Sequence, residues 1–106
     1  MKILFDQGTP VPLRSSLVDH NVATTYECGW STKNNGDLLH AAESAGFECL
    51  VTTDANLKYQ QNLADRKIAI VVLKTTSWPK IQRSVSLVVA AIARAGANTY
   101  EEIEFL

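Results

Sequence analysis

The apolar positions of the chain fall into short runs separated by polar turns, and the runs are of two kinds. Ile3-Leu4-Phe5, Val22-Ala23-Thr24-Thr25, the stretch 48–52 and the stretch 68–73 are brief, apolar or β-branched, and bounded by turn residues. That pattern predicts strands. "IAIVVL" at 68–73 is apolar at every position, as a central strand covered on both faces must be. Between these runs the spacing is helical. Val11, Leu13, Leu17 and Val18 give partial helical spacing over 10–18. Leu38, Leu39, Ala41, Ala42 and Ala45 share one helical face, and Gly46 is placed to end it. A short helix is predicted over 57–63. Ser77 and Pro79 open a last helix over 79–95, with Ser77 as its cap and Pro79 in its first turn. Ile81, Val85, Val88, Val89 and Ile92 mark its buried stripe, and Gly96 its end. The stretch 100–105 reads as an edge strand or a tail, because Glu101, Glu102 and Glu104 punctuate it. Strands alternating with helices predict an α/β fold, a mostly parallel central sheet flanked by helices.

Composition narrows this picture. A chain of 106 residues, 46% hydrophobic and 20% charged, is one folded domain. A net charge of −1 argues against gripping nucleic acid by bulk positive charge, and leaves a local basic rim open. Cys28 and Cys49 have no metal-type spacing and read as reduced intracellular thiols. The chain opens on a strand-like run rather than a leader, and no apolar run approaches membrane-spanning length. A cytoplasmic, non-membrane setting is expected.

In an open parallel sheet, ligands bind beyond the carboxyl ends of the strands. Asp6 follows the first strand directly, and Asp54 follows the third after Thr52 and Thr53. Asp37 opens a helix in "NNGDLL". Helices begin at the edge where parallel strands end, so the three carboxylates are expected at one edge. A cluster of oxygen ligands suits a hard divalent ion, Mg2+ or Mn2+, which polarises a phosphoryl oxygen and activates water. Each acid also has a plainer role. Asp6 can begin a turn, Asp37 can favour a helix N-terminus, and Asp54 can cap the following helix. The ordered set of three shifts the weight towards a site. Glu27 is either a fourth ligand or a surface acid. Arg14, Lys33 and Lys58 are candidates to meet nucleic-acid phosphates, or ordinary solvated charges. Tyr26, Trp30 and Tyr59 are candidates to stack on bases, or to pack against the protein. Gln60 and Gln61 lie on the helix that begins beside Asp54 and either line the site or only face water, the first reading being favoured by that position. His20 and His40 are not spaced as ligands.

The segments "KILFDQGTPVPL", "GDLLHAAESAGFECLVTTDANL" and "IAIVVL", in this order and spacing, resemble the PIN-like family of nuclease toxins, the domain-of-unknown-function branch of the PIN superfamily. The resemblance runs from Met1 to about Ile92. It implies a single PIN-like three-layer domain over 1–106 and a metal-dependent endoribonuclease of toxin–antitoxin type. RNA would be its substrate and an antitoxin its partner. It implies that Asp6, Asp37 and Asp54 are the catalytic, metal-binding carboxylates, and that Thr52 or Thr53 orients one of them. Asn56 stands where many relatives carry a further acid. An amide keeps an oxygen ligand but removes a charge, which points to one metal rather than two. The alternative is a catalytically degenerate PIN-like module that acts by binding a partner protein. If a valine stripe on the last helix is left exposed, it would serve a homodimer or an antitoxin interface. A phosphoacceptor receiver-like domain ranks third. Lys74 after 68–73 fits it, and Gln7-Gly8 after Asp6, where paired acids are needed, does not.

Overall fold

The computed structural model of the chain describes every residue except Gln61 and Ala64, and the backbone alone of Tyr59 and Gln60. Five strands form one sheet: β1 (Lys2–Phe5), β2 (Asn21–Thr24), β3 (Cys49–Thr52), β4 (Ala69–Leu73) and β5 (Tyr100–Ile103). Their order across the sheet is β2-β1-β3-β4-β5, and every neighbouring pair is parallel. The sheet is thus wholly rather than mostly parallel, and the stretch beginning at Tyr100 is its edge strand.

Strand alternation sorts the core into two layers, because successive side chains point to opposite faces. Ile3, Phe5, Cys49, Val51, Ala69, Val71 and Leu73 enter one cluster with Leu13, Leu17, Ile81, Val88 and Ile92. Leu4, Leu50, Ile70 and Val72 enter the other with Leu38, Leu39, Ala42, Phe47 and Leu57. The result is a three-layer α/β domain. Cys28 packs beside the second cluster while Cys49 lies in the first. Both are free thiols, and burial pushes the Cys49 thiol up to about 12.

The helical segments follow local chemistry. Val11–Ser16 is a 3₁₀ helix, not an α-helix. Pro12 removes a donor and Ser15-Ser16 propagate a helix weakly, so the turn closes with Leu13 N–H on the Pro10 carbonyl at 3.1 Å. α1 (Asn35–Ser44) begins where the Asn34 side chain accepts from Asp37 N–H at 2.8 Å. It ends at Gly46, whose φ of +85° lets Phe47 N–H reach back to the Ala42 carbonyl at 2.9 Å. α2 (Leu57–Gln60) is a single turn.

The predicted helix over 79–95 is two helices, α3 (Trp78–Arg83) and α4 (Val85–Arg94), broken at Ser84 with φ −133°. Ile81, Val88, Ala91 and Ile92 are buried, whereas Val89 is 43% exposed and so lies outside the buried stripe. No helix among the described residues is long and apolar enough to cross a membrane.

Ile92→Ala is expected to cost about 2–5 kcal/mol in urea unfolding. Val89→Ser should stay within about 0.5 kcal/mol of the parent. Equal losses at the two positions would contradict this placement of α4.

Candidate functional site

The connections leaving β1 and β3 go to opposite faces of the sheet. The connection after β1 contributes Leu13 and Leu17 to one core, and α2 after β3 contributes Leu57 to the other. β1 and β3 are neighbours, so a crevice opens beyond their carboxyl ends, at the topological switch point of the sheet. Asp6 and Asp54 stand on its two sides.

Thr52 joins them. It is the last residue of β3 and fully buried. Its hydroxyl donates to Asp6 Oδ2 at 2.8 Å and accepts Asp54 N–H at 3.1 Å. Asp6 Oδ1 accepts from Gln7 N–H at 2.8 Å. The backbone carries β1–β3 pairing one step past the strand, with Asp6 N–H on the Val51 carbonyl at 2.9 Å. Thr9, also buried, donates its hydroxyl to the same carbonyl at 3.0 Å and pins the loop. Gly8 is needed in that loop. Its φ is +95°, and a Cβ there would lie 3.0 Å from Thr53 Oγ1.

Asp54 does cap the turn that follows it, accepting Asn56 N–H on Oδ1 at 2.9 Å. Its Oδ2 accepts from Asn35 Nδ2 at 2.9 Å. The first turn of α1 therefore reaches the site through Asn35. Asp37, two residues on, is exposed, and its backbone is held by the cap residue Asn34. Among the described residues no three His, Cys, Asp or Glu side chains form a group able to hold a metal ion. The structure thus pairs Asp6 with Asp54 and does not bring Asp37 into a group with them.

Burial raises the Asp6 carboxyl above the ordinary carboxylate value; the Thr52 and Gln7 hydrogen bonds oppose this, and the Asp54 charge adds to it. Several acids elsewhere are matched to cations. Glu27 is held by Arg14 at 2.7 and 3.2 Å and by Thr24 N–H at 2.9 Å, which lowers its carboxyl. Lys58 meets Glu102 at 3.0 Å, and Lys74 meets Glu104 at 3.3 Å. Arg66 meets Glu43 at 2.8 Å. Among the described residues Asp6 and Asp54 are held by neutral donors alone.

Of the other candidates, Arg14 and Glu27 are committed to each other, Lys58 is ion-paired, and Lys33 is exposed before α1. Trp30 packs edge-on to Phe47, with ring centroids 6.0 Å apart. Tyr26 is 83% exposed. The side chains of Tyr59 and Gln60, and all of Gln61, lie outside the described residues. A cleft of about 400 Å³ opens beside Asp6, between the loop after β1 and the loop after β2. Asp6, Gln7, Arg14, Thr24, Tyr26 and Glu27 are among its walls; Asp54 and Asp37 are not.

Two participants escaped sequence reasoning. Asn35 is the second Asn of "NNGD", and the first is used up as the cap. Thr9 lies in the turn between β1 and the 3₁₀ helix. The doubled Asn was a readable signal; the reach of Thr9 to β3 was not, since its partner is 42 residues away. Comparison of the chain with family models, with curated proteins and with solved structures finds no match.

Two measurements test this geometry. In the metal-free chain Asp6 binds its proton more tightly folded than unfolded, so its contribution to stability falls as pH rises from 3.8 through the raised folded value. Asp6→Asn should therefore flatten that decline and be at least as stable as the parent at neutral pH, read by urea unfolding between about pH 4 and pH 7. Thr52→Val should cost about 1–3 kcal/mol, because it leaves buried polar groups unpartnered. It should also push Asp6 higher still, read by carboxyl NMR titration. A downward shift would remove Thr52 as the partner of Asp6.

Proposed function

We propose that this domain is a divalent-metal-dependent endoribonuclease that hydrolyses phosphodiester bonds at the Asp6–Asp54 crevice. One observation carries the reading. At the switch point of the sheet the buried Thr52 hydroxyl ties the Asp6 carboxylate to the backbone of Asp54, the Asp54 charge bears on Asp6, and no cation among the described residues compensates the two acids. The resemblance of the sequence to nuclease toxins adds RNA as the substrate and an antitoxin as a partner.

The donor set fits the ion in kind. Every ligand atom on offer is a hard oxygen, which suits Mg2+ or Mn2+. It also fits in number, since Mg2+ is commonly held by one or two carboxylates, with water and substrate phosphate completing its shell. Asp6 and Asp54 would hold it, each keeping a lone pair on both oxygens beyond the hydrogen bonds described. Bound there, it would supply charge at the phosphoryl oxygens and an activated water. The chain's own contribution is orientation. Thr52 and Gln7 fix Asp6, and Asn35 and the Asn56 N–H fix Asp54. Asp37 and Asn56 would act, if at all, through water or substrate.

A second reading, a degenerate module that works by binding a partner protein, draws on one observation. Each Asp54 oxygen is already engaged by an amide, and Asp37 is not joined to the pair.

Mn2+ titration by calorimetry, with cleavage of a fluorogenic single-stranded RNA, separates the two. The nuclease reading expects binding and cleavage, both abolished by Asp6→Asn and by Asp54→Asn. Thr52→Val should cost about 10–100-fold. Affinity should fall as pH drops through the raised value of Asp6, because a protonated carboxyl does not hold the ion. Asp37→Asn should leave Mn2+ affinity within a fewfold of the parent. Absence of both binding and cleavage in the parent would leave the partner-binding reading.

A further inference from the structure

We propose that the cleft beside Asp6 is a pocket for one unpaired nucleobase, with Tyr26 as its stacking platform; this rests on the reading of the Asp6–Asp54 crevice as a site for RNA.

The cleft is about 400 Å³, which lies in the range of small-ligand pockets and suits a single nucleoside rather than a segment of strand. Asp6 lies in its wall, so a base held there belongs to a nucleotide adjoining the phosphodiester at Asp6. Its charge content selects a neutral occupant. The lining includes Asp6, Glu27 and Arg14, and the last two neutralise each other at 2.7 Å. The balance is negative and disfavours a phosphate inside the cleft. It favours an uncharged ring that can donate hydrogen bonds.

The surfaces match such a ring. Tyr26 is 83% exposed and Val11 54% exposed, and both line the cleft. An aromatic ring left in water beside a cavity is a platform that any base can stack on. Thr24, whose hydroxyl accepts from Glu27 N–H at 3.1 Å and keeps its own proton to donate, and Gln7, with a side-chain amide, are among the lining residues and bring polar groups of the kind the edge of a base requires.

The pocket is also formed in advance. Glu27 ties the loop after β2 to the 3₁₀ helix through Arg14, and to the end of β2 through Thr24 N–H. Trp30 N–H donates to the Thr25 carbonyl at 2.8 Å. A wall held by this many bonds loses little freedom when a ligand enters.

The test is binding without catalysis. The full chain is titrated with AMP, GMP, CMP and UMP in the presence of a chelator and followed by amide NMR. At least one nucleotide should shift the amides of Gln7, Thr24, Tyr26 and Glu27. Tyr26→Ala should weaken that binding on the order of tenfold or more, while Tyr26→Phe keeps it. The spectrum also reports that each variant is folded. Absence of cleft shifts with all four nucleotides, shifts confined to other regions, or unchanged affinity in Tyr26→Ala would overturn the pocket. Those outcomes leave Mn2+-dependent cleavage at Asp6 and Asp54 standing. Nucleotide binding in the cleft with no Mn2+-dependent cleavage would instead keep the pocket and remove the nuclease.

Discussion

A wholly parallel sheet must be covered on both faces, and this constraint organises the rest of the molecule. Each central strand divides its side chains between two cores, so neither face has room for polar chemistry. The backbone connections then have to leave towards both layers. At β1 and β3 they leave in opposite directions, and the crevice between them is where polar groups can gather over the centre of the sheet. Thr52 marks the transition. It ends a strand whose other residues are apolar, it is fully buried, and its hydroxyl turns towards the crevice rather than a core.

Charge is distributed unevenly around this frame. Around the rim, several glutamates are matched with arginine or lysine: Glu27 with Arg14, Glu43 with Arg66, Glu101 with Arg94, Glu102 with Lys58. Such exposed pairs each contribute little to stability. At the crevice two aspartates are set close enough for one to raise the other, with only neutral donors around them. That arrangement works against the stability of the free chain at neutral pH. A chain that places carboxylates there and cations elsewhere has kept a local cost, and such costs collect at functional sites.

The 3₁₀ helix, the loop after β2 and the first turn of α1 surround the crevice without belonging to it. Each is tied down by a side chain whose partner is far away in sequence: Thr9 on β3, Arg14 on Glu27, Asn35 on Asp54. These ties turn loops into walls. The cleft beside Asp6 exists because Arg14 and Glu27 hold two connections together on the β2 side of β1, away from Asp54.

Four of the five strands, the alternation of helices with them, and the placement of Asp6 and Asp54 just past strand ends were legible in the sequence by itself; the stretch from Tyr100 reads there as strand or tail, and its pairing with β4 decides it. The legible features follow from local periodicity and from turn chemistry within a few residues. The sequence also marked Gly46 and Ser77 as helix boundaries, because capping is local. Tertiary structure decided the rest. The strand order placed β1 beside β3 and so made neighbours of two acids 48 positions apart. In the fold the last helix is broken at Ser84 and Val89 lies outside, although its spacing matched the buried stripe. The direction of the first turn of α1 gave Asn35 the reach that the order of acids had suggested for Asp37. Pairwise choices of this kind, Arg14 for Glu27 and Lys58 for Glu102, depend on which surfaces the folded sheet brings together. Periodicity carries no information about them, because it records which face a residue occupies and not what waits on the other side.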